Sequence, residues 1–88
     1  MDTKVCQEDI DALLDNAEVE EHTFHGKELV VSYKLRDRAG FTLSGRGAVV
    51  DPANFDLDIG RAVARQDASN KLWLLEGYLL QLRLAGVI

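Results

Sequence analysis

The sequence contains one cysteine and no long hydrophobic run, and each scarcity excludes a class of protein. The single cysteine, Cys6, permits no intramolecular disulfide and no multi-cysteine zinc site, so neither explains how the chain folds. The apolar stretches are a few residues long, against the roughly 20 that cross a bilayer, and the first residues lack the layout of a signal peptide. We therefore expect a soluble cytoplasmic protein.

Basic residues are also scarce, because ten lysines and arginines stand against fifteen acids and leave a net charge of −5. This balance argues against a nucleic acid polymer as a partner, since phosphate neutralisation requires a surplus of cations. Residues 1–28 hold nine acids and two bases, a net −7, so the rest of the chain carries +2 and retains a local capacity for an anionic small ligand. At 88 residues the chain is one domain, residues 1–88.

The first segment predicts an amphipathic α-helix. Its apolar residues recur at the spacing of one helix face, and they are Cys6, Ile10, Leu13, Leu14 and Ala17. On that face we expect Cys6 to be a buried thiol, because nothing nearby would activate it as a nucleophile.

Three later stretches, 18–24, 29–36 and 41–49, alternate polar and apolar residues with the period of a β-strand. A turn at 36–40 fixes how the last two strands pair. The predicted pairs on the core face are Leu35 with Phe41, Tyr33 with Leu43, Val31 with Gly45, and Leu29 with Gly47. We expect the two glycines to provide room for close packing. The opposite face then presents a polar patch of Ser32, Lys34, Thr42, Ser44 and Arg46.

A long helix follows, and Asp51 with Pro52 predicts its start as an N-cap and a first-turn proline. Its apolar stripe changes face between about residues 70 and 74. One stripe comprises Ile59, Ala62, Val63 and Trp73, and the other comprises Leu72, Leu75, Leu79 and Leu82. A straight helix cannot bury both stripes against one core, so we expect a bend or break near Trp73, or burial of one stripe against another subunit.

The predicted fold is α+β, with an N-terminal helix, a small antiparallel sheet of about three strands and this long C-terminal helix.

Catalytic and metal chemistry find little support in the sequence. His22 and His25 have a three-residue spacing that places them on opposite faces of a strand, so we expect no metal site there. No Ser, Cys or Thr has a base at a recognisable motif spacing, and the carboxylates are scattered. We therefore predict that the protein is not an enzyme.

Arg61 and Arg65 are the best candidates for ligand binding, because four-residue spacing places both guanidiniums on one helix face. Together they could clamp a phosphate. The alternative is a solvated face in which the arginines pair locally with Asp58 or Asp67. The same two interpretations apply to Arg46.

The run from Gly40 to Leu80 resembles a family of small tailed-phage and prophage proteins, named for gene 49 and gene 66 products of enterobacterial phages. The shared elements are Gly40 with Phe41, Gly45, Asp51 to Asp56, Ile59 to Arg61, Asn70 with Lys71, Trp73, and Leu75 to Leu80. The chain departs from the family pattern at Leu74, where proline is usual, near Ala48, where a cysteine is expected, and at Ser32, where an apolar residue or cysteine is common.

This family is similar to phage anti-defence proteins that counter Thoeris immunity by binding its cyclic ADP-ribose signal. Related sponges also take up cyclic oligonucleotides, and they assemble into homo-oligomers with pockets between subunits. The resemblance therefore implies that the protein sequesters a cyclic nucleotide-type small molecule in the cytoplasm of an infected bacterial host, without catalysis, a cofactor or a membrane.

Sponge pockets need cations for phosphates and aromatic or amide groups for bases. The residues that can supply these groups are Arg46, Phe55, Arg61, Arg65 and Asn70. The alternative function is a phage accessory protein of unknown role that acts through protein–protein interaction.

Overall fold

The computed structural model describes residues 4–48, 53 and 56–88, and it shows the α+β fold that the sequence predicts. The elements are α1 (Gln7–Asp15), β1 (Glu18–Phe24), β2 (Glu28–Leu35), a 3-10 turn (Arg36–Arg38), β3 (Phe41–Ala48) and α2 (Leu57–Leu84). The three strands form one antiparallel sheet in the order β1-β2-β3. None of the helices in this described part of the chain has both the length and the apolar content needed to cross a bilayer.

The sheet has the predicted register, with Leu35 opposite Phe41 and Leu29 opposite Gly47. Its buried face forms the core together with one side of α1 and part of α2. The buried apolar residues are Ile10, Leu13, Leu14, Leu29, Val31, Tyr33, Leu35, Leu43, Ala64, Ala68 and Leu72. Cys6 precedes α1 and is half-buried rather than buried, because it occupies the N-cap, where its backbone N–H donates to the Asp9 carboxylate at 3.0 Å.

Two glycines of β3 allow α2 to lie directly on the sheet. A Cβ atom placed on Gly45 would fall well inside van der Waals contact with the carbonyl oxygen of Ala64, and one on Gly47 would meet the carbonyl oxygen of Gly60. These obstacles are backbone atoms, so no side-chain rotation would relieve them. The predicted role of the two glycines in close packing is confirmed, and we call this contact the glycine seam.

α2 is a continuous helix of 28 residues, so of the bend or break predicted near Trp73 the break does not occur. Its buried face consists of Gly60, Ala64, Ala68, Ser69, Leu72 and Glu76. Ile59 and Val63, which belong to the first predicted stripe, are 59% and 48% exposed in the single chain. The stripes of large apolar residues did not indicate this buried face, because a helix whose backbone touches a strand buries small residues.

The second predicted stripe is partly covered within the chain. Leu72 is buried, Leu79 and Leu82 are half-buried, and Leu75 is exposed. The predicted cap at Asp51 and Pro52 lies outside the described residues. In the structure Asp56 caps α2, because its carboxylate accepts the backbone N–H groups of Asp58 and Ile59 at 2.9 and 3.2 Å.

α2 also covers the outer edge of β3. The Asp67 carboxylate accepts the backbone N–H of Arg46 at 3.0 Å, and the Lys71 ammonium donates to the carbonyl oxygen of Ser44 at 2.6 Å. Edge strands expose unpaired backbone groups that favour aggregation, and these two contacts satisfy one donor and one acceptor. This flank of α2 therefore protects the sheet.

Replacing Gly45 with alanine tests the glycine seam. We expect Gly45→Ala to lower the free energy of unfolding by about 3 kcal/mol or more, because the added methyl group would push α2 off the sheet. Urea unfolding followed by circular dichroism measures the loss. Ser44→Ala is the control, since Ser44 is the exposed neighbour on the opposite face, and it should unfold like the wild type. Equal stability of Gly45→Ala and wild type would contradict the seam.

Candidate functional site

A groove of about 390 Å³ lies beside the first half of α2, where α1, β1 and β2 meet. Its lining consists of Leu14, Asp15, Val19, Glu21, Val31, Tyr33, Arg61, Ala62 and Arg65. Arg61 and Arg65, which the sequence singled out, therefore share one concave site. The apolar side chains and the ring of Tyr33 stand between charged residues, an arrangement typical of small-molecule sites.

Arg61 makes a bidentate ion pair with Glu21 of β1. Its Nε donates to Glu21 Oε1 at 2.7 Å, and its Nη2 donates to Glu21 Oε2 at 3.0 Å. Nη1 also donates to Asp58 Oδ1 at 3.2 Å. The hydrogen bond from Arg61 holds the pKa of the Glu21 carboxyl below its ordinary value of 4.5, and Glu21 in turn raises the pKa of Arg61. The guanidinium is thus held in place by a carboxylate with the planar geometry that also suits a phosphate.

Arg65 extends toward α1. Its Nη2 donates to Asp15 Oδ1 at 2.9 Å and to the backbone oxygen of Asp11 at 3.4 Å. Burial raises the pKa of the neighbouring Tyr33 phenol above its ordinary value of 10.0, so this ring is neutral and can donate a hydrogen bond at physiological pH. The pairing of Arg61 with Asp58, which the sequence predicted as an alternative, does occur. Each arginine also pairs with a carboxylate distant in the sequence, Arg61 with Glu21 and Arg65 with Asp15.

The other predicted ligand residues do not join this groove. Arg46 and Asn70 line a separate depression of about 480 Å³ on the opposite flank of α2, next to β3. Arg46 forms an ion pair with Glu28, and the side-chain oxygen of Asn70 accepts from Gln66 Nε2 at 2.9 Å. Phe55 lies outside the described residues. The single site of five residues that the sequence proposed is therefore divided by α2.

Three polar members of the groove were not predicted as site residues, namely Asp15, Glu21 and Tyr33. Tyr33 was assigned only to the core. Glu21 is opposite Val31 and therefore on the helix side of the sheet, a position that the register of the first hairpin gives. That register is set by the short turn at 25–27, where His25 and Gly26 both have positive φ, of 56° and 65°. In the sequence, Gly26 is a sign of this turn but does not specify the register.

A second cavity, of about 450 Å³, contains the most buried ion pair in the described residues. Arg38 donates through Nε to both oxygens of Glu76, at 3.2 and 3.0 Å, and this contact raises the pKa of Arg38. The pair joins the turn after β2 to the middle of α2. Because each charge neutralises the other at a largely buried position, we interpret the pair as a structural connection.

No group of three His, Cys, Asp or Glu residues in the described part of the chain has an arrangement that would hold a metal ion. His22 lies in β1 with its Nε2 3.7 Å from Glu20 Oε2, while His25 lies in the following turn. The two histidines therefore do not form a common site.

A protein-family model matches residues 5–84, which is nearly the whole chain, and it describes the phage protein (N4 Gp49/phage Sf6 gene 66) family. The chain belongs to this family. The resemblance inferred from the segment between Gly40 and Leu80 is confirmed and extends through the N-terminal helix. No curated protein and no solved structure matches the chain. The groove with its two arginines is thus the candidate site of a phage protein.

The pairing of Glu21 with Arg61 predicts a specific dependence of stability on pH. A carboxyl whose pKa is lowered by folding stabilises the protein above the unfolded value, here 4.5, and this contribution is lost as the pH falls through the folded pKa. We expect Glu21→Gln to lose less stability than wild type as the pH decreases below about 4.5. Chemical unfolding between pH 3 and pH 7 measures the difference.

The control for this experiment is Glu20→Gln, which removes the same charge from the neighbouring residue. Glu20 belongs to the other face of β1, opposite Ser32. This variant should follow the wild-type pH profile. Superimposable profiles for wild type and Glu21→Gln would mean that the Arg61 pair does not contribute to stability.

Proposed function

We propose that this phage protein is an anti-defence protein, which binds a nucleotide-derived cyclic immune signal and sequesters it without cleaving it. The signal would be a cyclic ADP-ribose isomer or a cyclic oligonucleotide. The observation that supports this best is the pair of guanidiniums, from Arg61 and Arg65, that flank an aromatic residue in one groove. The similarity of the family to Thoeris anti-defence sponges agrees with this chemistry.

The size and charges of the groove suit such a ligand. A volume of about 390 Å³ lies within the range of roughly 300–1,000 Å³ that small-molecule sites have. Glu21 and Asp15 occupy the hydrogen-bonding positions that phosphate oxygens would take on Arg61 and Arg65. Binding would therefore proceed as an exchange of anions, in which the phosphates displace carboxylates that already orient both guanidiniums.

The lining of the groove favours binding over catalysis. It contains no Ser, Cys or His among the described residues, so no nucleophile with an adjacent base faces the space that a ligand would occupy. Arginines that contact phosphates provide affinity without bond cleavage. We accordingly expect the ligand to be released unchanged.

Self-association into a dimer or a higher oligomer, in the cytoplasm of the infected host, completes the proposal. A second candidate function is that of an accessory protein that contacts a host or phage polypeptide. The exposed apolar residues on the second half of α2 favour it, since Leu74 is 77% and Tyr78 is 65% exposed. The two candidates differ in the part of the molecule on which they depend.

Calorimetry with cyclic ADP-ribose isomers and cyclic di- and trinucleotides tests the sponge function. We expect binding with a stoichiometry fixed by the oligomer, and recovery of intact ligand by chromatography. Arg61→Ala and Arg65→Ala should each weaken binding by about tenfold or more, because each removes a charged donor to phosphate. Arg36→Ala is the control. It removes the same charge at an exposed side chain whose Nη2 lies 3.6 Å from Glu18 Oε1, and should retain wild-type affinity.

Each outcome of this experiment favours one function. Turnover of the ligand would assign the protein to the enzymes. The absence of binding across the whole panel would leave the accessory-protein function ahead. Equal losses in Arg36→Ala and Arg61→Ala would show that overall charge, and not the groove, governs binding.

The exchange of anions makes a further prediction about Glu21. Replacing it with glutamine removes the negative charge that competes for Arg61, so Glu21→Gln should bind the phosphate-bearing ligand more tightly than wild type. Glu20→Gln changes the net charge equally but lies on the other face of β1, and its affinity should remain unchanged. Weaker binding by Glu21→Gln would contradict the exchange and indicate that the carboxylate itself contacts the ligand.

A further inference from the structure

The cavity of about 450 Å³ lies between α1, the turn after β2 and the second half of α2. The contacts of α1 define its direction. Gln7 at the start of α1 accepts from Trp73 Nε1 at 3.1 Å, and Asp15 at the end of α1 accepts from Arg65 Nη2 at 2.9 Å. The two helices therefore run in opposite directions, and the segment before α1 extends toward the C-terminal end of α2.

Two cations occupy the end of the cavity that is nearest to the end of α2. Lys4 belongs to the segment before α1, and Arg83 lies in the last turn of α2. Neither side chain forms an ion pair or a hydrogen bond with another described residue. A helix C-terminus favours a cation by itself, so Arg83 alone would indicate no site. Together with Lys4 it gives this part of the cavity, the cationic end, a charge of +2.

Carboxylates predominate at the opposite end, around the ion pair of Arg38 with Glu76. The hydrogen bond to Glu76 raises the pKa of Arg38, and the nearby charges of Asp37 and Asp9 raise it further. Three acids and one arginine leave this part, the acidic end, with a charge of −2. Asp9 Oδ2 and Asp37 Oδ2 accept hydrogen bonds at 3.0 and 2.9 Å, whereas their Oδ1 atoms accept none from the described residues.

The two ends are about 10 Å apart along α2, because Glu76 and Arg83 are seven residues apart on one face of the helix. Leu80 lies between them on that face, and Val5, Ala12 and Leu13 complete the apolar part of the lining. The cavity therefore has opposite charges at its two ends and apolar side chains in its wall.

We propose that this cavity binds a small linear zwitterion, with its ammonium group at the acidic end and its carboxylate at the cationic end. A dipeptide with free termini and apolar side chains has this chemistry. Its two residues span at most about 7 Å, which leaves room within the separation of the two ends for the side chains that hold its termini. The site is distinct from the groove, and this inference does not depend on the proposed function.

The charges of the lining favour a zwitterion over a simple anion or cation. Three acids and three bases give the whole lining a net charge of zero. An ion of one sign would be attracted by one end and repelled by the other, whereas a zwitterion gains at both. Arg38 and Glu76 neutralise each other, so Asp9 and Asp37 carry the uncompensated charge of the acidic end. Their Oδ1 atoms can accept from an ammonium group.

An NMR titration of the isotope-labelled full chain with alanyl-leucine tests the proposal. We expect a dissociation constant of about 1 mM or lower, with shifts of the backbone amide signals of Ala12 and Leu80. Acetylation of the dipeptide removes its ammonium charge, and amidation removes its carboxylate. Each change should weaken binding by about tenfold or more, because it removes the partner of one end of the cavity.

Two variants assign the two ends. Arg83→Ala should weaken binding of the free dipeptide by about fivefold or more, but it should not weaken binding of the amidated one, which has no carboxylate to present. Asp37→Asn should likewise weaken the free dipeptide and spare the acetylated one. Arg36→Ala and Glu20→Gln are the matched controls. They remove the same charges at exposed positions outside the cavity and should retain wild-type affinity.

Three results would overturn the proposal. The first is a spectrum that alanyl-leucine at millimolar concentration leaves unchanged, and the second is equal affinity for the free and the blocked dipeptides. The third is an equal loss of affinity in Arg83→Ala and Arg36→Ala, which would show that overall charge governs binding. Calorimetry with cyclic nucleotides reports on the groove, so failure of this site and failure of the proposed function are distinguishable.

Discussion

The close contact of α2 with β3 at the glycine seam is the constraint on which the rest of the structure depends. Because backbone meets backbone at Gly45 and Gly47, the helix faces the sheet there with Gly60, Ala64 and Ala68, and most of the larger core side chains come from β2 and α1. A helix held this near the sheet brings the side chains on both of its flanks within reach of the strands. The positions of the ionic groups on either side of α2 follow from this proximity.

The two flanks of α2 use their charges differently, and this difference selects the candidate site. On the β3 flank, Asp67 and Lys71 hold backbone groups that must be satisfied for the sheet edge to be stable, so a ligand there would have to compete with the fold itself. On the other flank, Arg61 and Arg65 hold the side-chain carboxylates of Glu21 and Asp15. An anion that displaces a carboxylate leaves that carboxylate solvated at the surface. This costs less free energy than leaving a backbone group of the sheet edge without a partner. Anion binding is therefore more compatible with the flank of α2 that carries Arg61 and Arg65 than with the β3 flank, which carries Asn70 and faces Arg46.

Sequence alone predicted the elements that depend on local periodicity and failed for those that depend on distant contacts. The alternation around the turn at 36–40 fixed the register of β2 and β3, because a slip of one residue would turn the core face outward. The buried face of α2 was missed, since glycine and alanine give no hydrophobic stripe. The ion pair of Arg38 with Glu76 was missed as well, because a separation of 38 residues leaves no pattern along the chain. Within the site, the arginines were found by their four-residue spacing, but Glu21 and Tyr33 required the three-dimensional register.

The lengths of the sheet and of α2 explain why the same helix carries two separate surfaces. Strands of eight residues extend for about 26 Å, whereas a helix of 28 residues extends for about 42 Å, so the sheet cannot cover α2 along its whole length. The first half of α2 lies on the sheet and presents Arg61 and Arg65 at the groove. The second half continues beyond it and leaves Leu74 and Tyr78 exposed. Arg65 and Gly77 are separated by twelve residues, about 18 Å along a continuous helix, so the exposed apolar side chains around Gly77 lie apart from the groove. The groove and the exposed apolar surface are thus two separate regions of one continuous helix.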